Sequence, residues 1–290
     1  MPDASTRIAR LFVYPIKSCA GVELSEALLT ETGLDLDRAW MVVDSNGEFV
    51  TQRDVPQMAL VKVQLKQHEV VLRAPGMLAL HLAIDAVEQP VRVRVWEDEV
   101  PAYDMGAVAA QWFTDFLGQA LRLVRFDPEH QRLSSAQWTG GRQAPNQFQD
   151  AFPLMVLSEG SLNELNRRLA QAGHAPVGIE RFRPNIVVAG LETQDEDRLD
   201  TIRIAAAQEV QLRPAKPCTR CPIPDIDPTT ADIDPKVSAA LQTYRANPLV
   251  NGAVTFGMNA VILSGQDQIL RVGQAVTGDW RFGSDEPRTP

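Results

Sequence analysis

Short runs of β-branched and aromatic residues fill the first part of the chain and constrain its fold more than any other feature. Seven of them follow one another within residues 7–103: RIARLFVYPI, AWMVVD, EFVTQ, ALVKVQL, EVVLR, LALHLAI and VRVRVW. Turn-forming clusters such as Ser45-Asn46-Gly47 and Ala74-Pro75-Gly76 separate the runs. Short strands at such spacing are typical of a β-barrel or a β-sandwich, whereas a parallel sheet would need helices between its strands.

One amphipathic segment and one polar segment follow these strands. Apolar residues near helical spacing in residues 105–117 predict a helix that stops at Gly118. Residues 127–150 are rich in Gln, Ser, Gly and Pro, which predicts a long connecting loop with a domain boundary beside it. We therefore expect two domains, residues 1–125 and residues 126–290.

The second half is also predicted to be mainly β. Its first strand, residues 153–157, is followed by Ser158, a residue type that caps helix N-termini, and then by leucines at helical spacing. Further β-rich runs lie at residues 185–189, 201–206, 209–213, 253–264 and 269–272. The expected fold class is mainly β with a few helices, an α+β arrangement.

Charge, hydropathy and cysteine content exclude several classes of protein. A net charge of -9 argues against general nucleic-acid binding, which needs a broad basic surface. No apolar stretch approaches the roughly 20 residues that cross a bilayer, and the N-terminus lacks the apolar core of a signal peptide. The three cysteines are an odd number, which fits a reducing compartment better than a disulfide framework. We expect no nucleic-acid partner, no membrane span and a cytoplasmic location.

The most unusual segment is KPCTRCPIP, residues 216–224. A zinc site would need more Cys or His ligands at suitable spacing, but Cys19 and four scattered histidines are all that the chain offers. A thioredoxin-like CxxC pair would begin a helix, which Pro222 and Pro224 impede. Two interpretations remain open. One is a single reactive or metal-binding thiolate on a stiff loop among nearby cations, and the other is a pair of small residues buried in a turn.

Arg183 and Asn185 form a second candidate site, directly before the apolar run Ile186-Val187-Val188. The guanidinium of Arg183 has a fixed fork of donors that suits phosphate or carboxylate, and Asn185 adds amide donors. The helix that begins after Ser158 would add free backbone N–H groups to the same anion. Arginines at the start of a strand also often simply face solvent.

Lys17 and Ser18 form a third candidate site, where the first strand runs into a turn. A lysine and small polar side chains in such a turn suit an anionic ligand, and Arg38 is a similar case. The commoner role of an isolated lysine is a solvated surface charge. The sequence pattern alone leaves both roles open.

Taken together, these segments resemble the MOSC superfamily, and specifically its members with an N-terminal MOSC β-barrel domain. In the first half the resemblance rests on LFVYPIKSCAGVELSEALLTETGLDLDRAWMVVD and FVTQRDVPQMALV, and in the second on FPLMVLSEGSLNELNRRL, RFRPNIVV, KPCTRC, VTFG and LRVG. It covers most of the chain, and it extends to bacterial YcbX-type proteins, mitochondrial amidoxime-reducing components and the C-terminal domain of molybdenum cofactor sulfurases. The resemblance implies an N-terminal MOSC β-barrel-like domain followed by a C-terminal MOSC β-barrel domain.

The resemblance also implies a molybdenum cofactor, Mo-molybdopterin, with Cys218 as the thiolate metal ligand and the catalytic residue. The pterin and phosphate contacts of the family carry over onto Lys17, Ser18, Arg38, Ser158, Arg183 and Asn185. Because anion-binding motifs lie in both halves, we expect the two domains to meet at a cleft that brings Lys17 and Arg38 near Cys218. The pterin phosphate should rest near Arg183 and the helix start.

The implied activity is reduction of small N-hydroxylated compounds such as amidoximes and hydroxylamines. Many YcbX-type relatives continue into a ferredoxin domain whose four cysteines hold an iron–sulfur cluster, whereas no cysteine follows Cys221 here. We therefore expect electrons to come from a separate flavin or iron–sulfur protein. The alternative is a non-redox cofactor carrier or a sulfur-transfer protein, in which Cys218 holds a persulfide or retains the cofactor.

Overall fold

Strands make up most of the regular structure in the computed structural model, which describes residues 3–281. The strands are β1 (Ala4–Val13), β2 (Val22–Leu24), β3 (Glu26–Thr30), β4 (Gly33–Leu34), β5 (Trp40–Val43), β6 (Lys62–Leu65), β7 (Glu69–Arg73), β8 (Leu80–Ala83), β9 (Pro90–Val95), β10 (Asp98–Asp104), β11 (Arg122–Phe126), β12 (Arg132–Leu133), β13 (Pro145–Asn146), β14 (Leu154–Ser158), β15 (Ile186–Ala189), β16 (Leu199–Ile204), β17 (Val210–Thr219), β18 (Ala246–Asn247), β19 (Ala253–Ser264), β20 (Ile269–Arg271) and β21 (Ala275–Trp280). The α-helices are α1 (Ala107–Leu117), α2 (Ala136–Thr139), α3 (Glu159–Gln171) and α4 (Lys236–Gln242). The predicted fold class, mainly β with a few helices, is confirmed.

Seven strands close into a barrel in the order β14, β15, β1, β21, β16, β17 and β19, and the pairing of β19 with β14 completes the closure. β14 and β15 pair in parallel, and the other neighbours pair antiparallel. Ile8, Val156, Leu212 and Ala260 belong to one core cluster of side chains from these strands, and each is 0% exposed. Burial of this apolar surface is the main favourable contribution to the stability of the barrel.

The N-terminal strand β1 joins the two halves of the chain. It lies between β15 and β21, with Leu11 paired to Ile186. The strand that leads to Lys17 is therefore part of a barrel whose other strands all come from the second half. The predicted boundary between the domains stays a prediction, and residues 1–2 and 282–290 of the two ranges lie outside the described residues.

A second apolar core lies in the first half, which holds one sheet of β5, β11, β10 and β9 and another of β6, β7 and β8. Trp112 and Phe113 of α1 belong to this core together with Val42 and Leu123. α1 ends at Gly118, whose φ of 73° is the left-handed conformation that glycine adopts without a Cβ penalty. The helix and its stop lie where the sequence predicts them.

Helix α3 begins at the cap that the sequence predicts. The Oγ of Ser158 accepts a hydrogen bond from the backbone N–H of Ser161 at 3.0 Å. Leu165 and Leu169 turn inward and are buried. Within residues 3–281, no helix is both long enough and apolar enough to cross a membrane.

The segment of residues 127–150 has more structure than a connecting loop. It contains β12, α2 and β13, and Arg132 is buried within it. The Arg132 guanidinium donates to Asn146 Oδ1 at 2.5 Å and to the Gln149 carbonyl at 2.7 Å. A buried guanidinium needs acceptors on several sides, so the segment folds around Arg132 to supply them. This fixes the position of Asp150, the residue after Gln149. The prediction of a long connecting loop is wrong in this respect.

Candidate functional site

A cavity of about 290 Å³, the first cavity, opens where turns of the first half meet the end of strand β17. Its walls include Lys17, Ser18, Arg38, Arg183, Asn185 and Cys218. Three of these residues come from each half of the chain, so the first cavity brings together six of the seven predicted site residues. Its volume is close to the lower end of the range for small-molecule sites, about 300 Å³.

Three of the predicted site residues that line the first cavity have a left-handed backbone although none of them is glycine. The φ angles of Ser18, Arg38 and Arg183 are 66°, 52° and 58°. This conformation costs about 1 kcal/mol or more for a residue with a Cβ atom. Gln52 Nε2 donates to the Ser18 carbonyl at 2.5 Å, and the Arg38 backbone N–H donates to the Tyr14 carbonyl at 2.9 Å, which holds both turns in place. Backbone strain of this kind concentrates at functional sites.

Two guanidinium groups face the ring of Tyr14. The Cζ atoms of Arg38 and Arg183 lie 4.3 Å and 4.2 Å from the ring centroid. Arg38 Nη1 donates to both carboxylate oxygens of Asp37 at 2.7 Å. Arg183 Nη1 donates to the Cys19 carbonyl at 2.8 Å. The cluster thus contains two guanidinium cations and one carboxylate, so it carries a net positive charge.

Arg183 lacks a full set of acceptors. Its Nη2 is buried and has no hydrogen-bond partner among the described residues. Burial, and next the charge of Arg38, lower the pKa of Arg183 to about 10. A buried donor without an acceptor costs about 1–3 kcal/mol, and more when it is charged. An anionic group bound in the first cavity would relieve this penalty.

The ammonium of Lys17 is buried against the second half. Lys17 Nζ donates to the Phe148 carbonyl at 2.7 Å and to Asp150 Oδ1 at 2.5 Å. Burial lowers the pKa of Lys17, and Asp150 opposes this shift. Burial by itself would raise the pKa of Asp150, but the Lys17 charge outweighs it and the pKa is lowered. The Asp150 side chain is 66% exposed and lines the first cavity, and its lowered pKa keeps its carboxylate ionised there.

Sequence reasoning missed Asp150 and Trp96 as cavity residues. Trp96 lies in the turn between β9 and β10 with φ 55°, and its Nε1 donates to Asp150 Oδ1 at 3.3 Å. The Arg53 Cζ lies 4.6 Å from the Trp96 ring centroid. The one usable signal was the short turn Trp96-Glu97 between two β-rich runs, which places a large aromatic side chain at a hairpin tip. No local pattern marks Asp150.

Cys218 lies near the end of β17, where the pairing with β19 shifts register between Pro217 and Thr219. Such a bulge redirects side chains. Arg220 Nη1 donates a hydrogen bond to Cys218 Sγ at 3.1 Å, while its Nη2 donates to a backbone carbonyl at 3.0 Å. The sulfur of Cys218 therefore has a fixed cationic neighbour. Cys221 is also free and lines the same cavity.

Asn185 lines the first cavity, but its side chain is already bonded at both ends. Its Oδ1 accepts from the Met155 backbone N–H at 3.1 Å, and its Nδ2 donates to the Phe12 carbonyl at 3.3 Å. The Asn185 side chain thus links β1 and β14 by hydrogen bonds at the wall of the cavity. Its contribution to ligand binding stays a prediction.

Ser158 does not line the first cavity, contrary to the expectation that it contacts the phosphate. It is 0% exposed, and its Oγ donates to Glu196 Oε2 at 2.8 Å. Glu196 Oε1 accepts from the Ser158 backbone N–H at 3.3 Å. A carboxyl group of the chain itself therefore takes the place that an external anion would need at the start of α3. Ser158 serves here as a helix cap.

Substituting Glu196→Gln should increase the free energy of unfolding at neutral pH by on the order of 1 kcal/mol. Burial, and next the charge of Asp197, raise the pKa of Glu196 above its ordinary value of 4.5. An acid whose pKa is higher in the folded state than in the unfolded state loses stability as pH rises above the unfolded pKa. Glutamine keeps one acceptor oxygen for the Ser158 backbone N–H, its amide group can donate to the Ser158 Oγ, and the charge is removed. The gain should therefore vanish below about pH 4.5.

Thermal denaturation across pH measures this effect. Glu192→Gln, at an exposed position in the loop before Glu196, is the matched control and should change stability little. A stabilisation by Glu196→Gln that is the same in acid as at neutral pH would contradict the assignment to a buried charge.

Within residues 3–281, no group of three or more His, Cys, Asp or Glu side chains is arranged to hold a metal ion. A metal ion at Cys218 would therefore need most of its ligands from a bound molecule. Sulfur donors of such a molecule would match the soft thiolate of Cys218.

Two domain families match the chain, one in each half. Residues 5–120 match the MOSC N-terminal beta barrel domain, and residues 143–277 match the MOSC domain. The two matched ranges contain, between them, every residue named above as a predicted site residue.

Curated proteins are similar to this chain across most of its length. Mitochondrial amidoxime reducing component 2 of Rattus norvegicus is 34% identical over 268 residues, which cover 87% of this chain and 77% of that protein. The component 2 protein of Bos taurus is 36% identical over 248 residues, 82% of this chain and 72% of that protein. Mitochondrial amidoxime-reducing component 1 of Mus musculus is 36% identical over 248 residues, 82% of this chain and 71% of that protein.

Proposed function

The chain belongs to the MOSC family, in the group with an N-terminal MOSC β-barrel domain, and from this membership we propose that it is an oxidoreductase that binds a molybdenum cofactor and reduces N-hydroxylated compounds. The names of the relatives support the substrate class, since they are amidoxime-reducing components that align with 82% to 87% of this chain. The observation that carries the proposal is that Cys218 and the unsatisfied guanidinium of Arg183 line one cavity.

The residues of the first cavity fit a molybdenum cofactor. Its phosphate needs donors and positive charge, which Arg183 and Arg38 offer at the Tyr14 ring. Its metal needs a soft ligand, which Cys218 offers beside the Arg220 guanidinium. The ionised carboxylate of Asp150 would repel the phosphate of the cofactor. We therefore propose that the phosphate binds on the side of Arg183 and the metal on the side of Cys218.

The proposed reaction for an amidoxime is R–C(NH2)=N–OH plus two electrons and two protons, giving R–C(NH2)=NH and water. The N–O bond breaks, the nitrogen is reduced, and the oxygen leaves as water. When bound, the cofactor supplies the two-electron redox chemistry of oxygen-atom removal. Arg220 orients the sulfur of Cys218, and the left-handed turns at Ser18, Arg38 and Arg183 hold the cavity side chains in fixed directions. This preorganisation keeps the reacting groups from having to reorder during the reaction.

We propose that electrons reach the first cavity from a separate flavin or iron–sulfur protein, and that the protein works in the cytoplasm. The amino-acid sequence contains no GxGxxG dinucleotide motif, and its three cysteines fall short of the four that usually hold an iron–sulfur cluster. An external donor is therefore the simplest source of the two electrons.

The direct test is to express the protein in a host that makes the cofactor and to measure molybdenum by elemental analysis. We expect about one molybdenum per chain, and turnover of benzamidoxime with a chemical electron donor. Stoichiometric zinc in place of molybdenum would overturn the cofactor proposal. A loaded and reducible protein without turnover of several N-hydroxylated compounds would instead favour a cofactor carrier.

A further inference from the structure

A second cavity, of about 790 Å³, lies beside the first and is larger than it. Its walls include Gln137, Trp138, Gln194, Tyr244, Asn247 and Leu249. None of the seven predicted site residues, all of which are described, lines it. We propose that this second cavity binds the planar aromatic part of an N-hydroxylated substrate. The proposal rests on the proposed function, because it assigns the substrate of the same reaction centre.

The second cavity is contiguous with the first. Lys216 and Thr219 line both of them and flank Cys218 along the chain. The pairing of β17 with β19 shifts register on both sides of Pro217, between Pro214 and Lys216 and again before Thr219. Because each bulge turns the strand, neighbouring residues of β17 reach two cavities instead of alternating regularly across one sheet. A molecule in the second cavity would therefore lie beside the first cavity, whose walls include Cys218.

The walls of the second cavity combine aromatic rings with amide groups. Trp138 and Tyr244 offer flat apolar surface, and Gln137, Gln194 and Asn247 offer both donors and acceptors. The Tyr244 hydroxyl is buried without a hydrogen-bond partner among the described residues, and burial raises its pKa to about 12, so it stays protonated. A planar ring with a polar edge matches such walls better than an aliphatic chain does.

The charges of the second cavity favour a neutral molecule over a cation. Arg245 Nη2 donates to Asp197 Oδ2 at 2.6 Å, so these two charges neutralise each other, and Arg281 adds a further positive charge to the walls. Lys216 has no salt bridge to a described residue, and its Nζ lies 5.4 Å from the Trp138 ring centroid. An amidoxime is neutral near pH 7, whereas the amidine formed from it is a strong base and carries a positive charge. The Lys216 ammonium would thus admit the substrate and repel the product.

Binding to the second cavity can be measured without turnover. We would record the indole N–H signals of the full chain, labelled with ¹⁵N, while benzamidoxime is added without a reductant. The signal of Trp138, identified by its loss in Trp138→Ala, should shift. Trp138→Ala and the exposed Gln137→Ala should each raise the Kd of benzamidoxime by about fivefold or more, in line with the energy of one aromatic or hydrogen-bonding contact. Gln143→Ala is the control, since Gln143 lies on the same segment but lines a different cavity.

Lys216→Met tests the selection between substrate and product. Removing the ammonium should lower the Kd of benzamidine by about fivefold, the size of one charge repulsion in a solvated site, and should change the Kd of benzamidoxime much less. Lys62→Met, on the exposed edge of strand β6, controls for the loss of one positive charge from the whole chain.

The results separate this inference from the proposed function. If benzamidoxime binds but neither the Trp138 signal nor the Kd in the variants changes, the second cavity is not the substrate site, and the reductase proposal stands. If benzamidoxime shifts Trp138 but no N-hydroxylated compound is reduced, the binding site stands and the reductase proposal fails. If benzamidoxime does not bind to the wild-type protein at all, the inference is wrong.

Discussion

Cys218→Ser should lower the turnover of benzamidoxime by at least about 100-fold in cofactor-loaded protein, because losing a residue that merely supports a metal ligand already costs 10- to 100-fold. Serine has nearly the same shape as cysteine but offers hard oxygen in place of soft sulfur. Cys218 is partly exposed and lies at the end of a strand, so the substitution should leave the free energy of unfolding almost unchanged. The loss would therefore report chemistry and not folding.

Cys221→Ser is the matched control, because Cys221 lines the same cavity three positions further along the chain. We expect it to retain most of the activity, since the guanidinium of Arg220 is bonded to the sulfur of Cys218. X-ray absorption at the molybdenum edge should count one sulfur fewer in Cys218→Ser and no change in Cys221→Ser. Equal losses in both variants, or full activity in Cys218→Ser, would contradict the assignment of Cys218 as the metal ligand.

Arg183→Met should weaken cofactor binding by at least about 30-fold, because truncating a buried, hydrogen-bonded charge at an interface costs about 2–5 kcal/mol. The same change should leave the stability of the cofactor-free protein within about 1 kcal/mol of wild type. Methionine loses the bond to the Cys19 carbonyl and the contact with the Tyr14 ring. It also removes the buried guanidinium of Arg183, which lies beside Arg38. Burial lowers the pKa of Arg183 to about 10. In the cofactor-free protein, the lost contacts and the removal of an unsatisfied buried charge therefore nearly cancel. With the anionic ligand bound, the charge is satisfied, so its removal only weakens binding.

Arg203→Met is a suitable control, since Arg203 lies on barrel strand β16 and pairs with Asp279 at 2.6 Å. Molybdenum retained per chain after dialysis measures the cofactor effect, and urea denaturation of cofactor-free protein measures stability. Retention equal to that of Arg203→Met would show that Arg183 does not bind the phosphate. A large loss of stability in the cofactor-free protein would instead assign Arg183 a structural role.

Features that depend on a few neighbouring residues could be predicted from the sequence. The run of residues 253–264 is strand β19, with the same bounds, because a short run of apolar and β-branched residues is a local pattern. α1 stops at Gly118 and α3 is capped by Ser158, because a helix end depends on the residue at that end. The motif around Cys218 was likewise visible as a short string of unusual composition.

The arrangement of polar side chains around the first cavity depended on the tertiary structure. Lys17 meets the Phe148 carbonyl across 131 residues, and Arg183 meets the Cys19 carbonyl across 164. Both contacts exist because β1 enters the barrel between strands of the second half, and no local pattern encodes that placement. Ser158 illustrates the same limit, since an identical cap could have left the helix N-terminus open to a ligand. Glu196, which lies 38 residues away in the sequence, closes it instead, because only the folded chain brings that carboxyl to the cap.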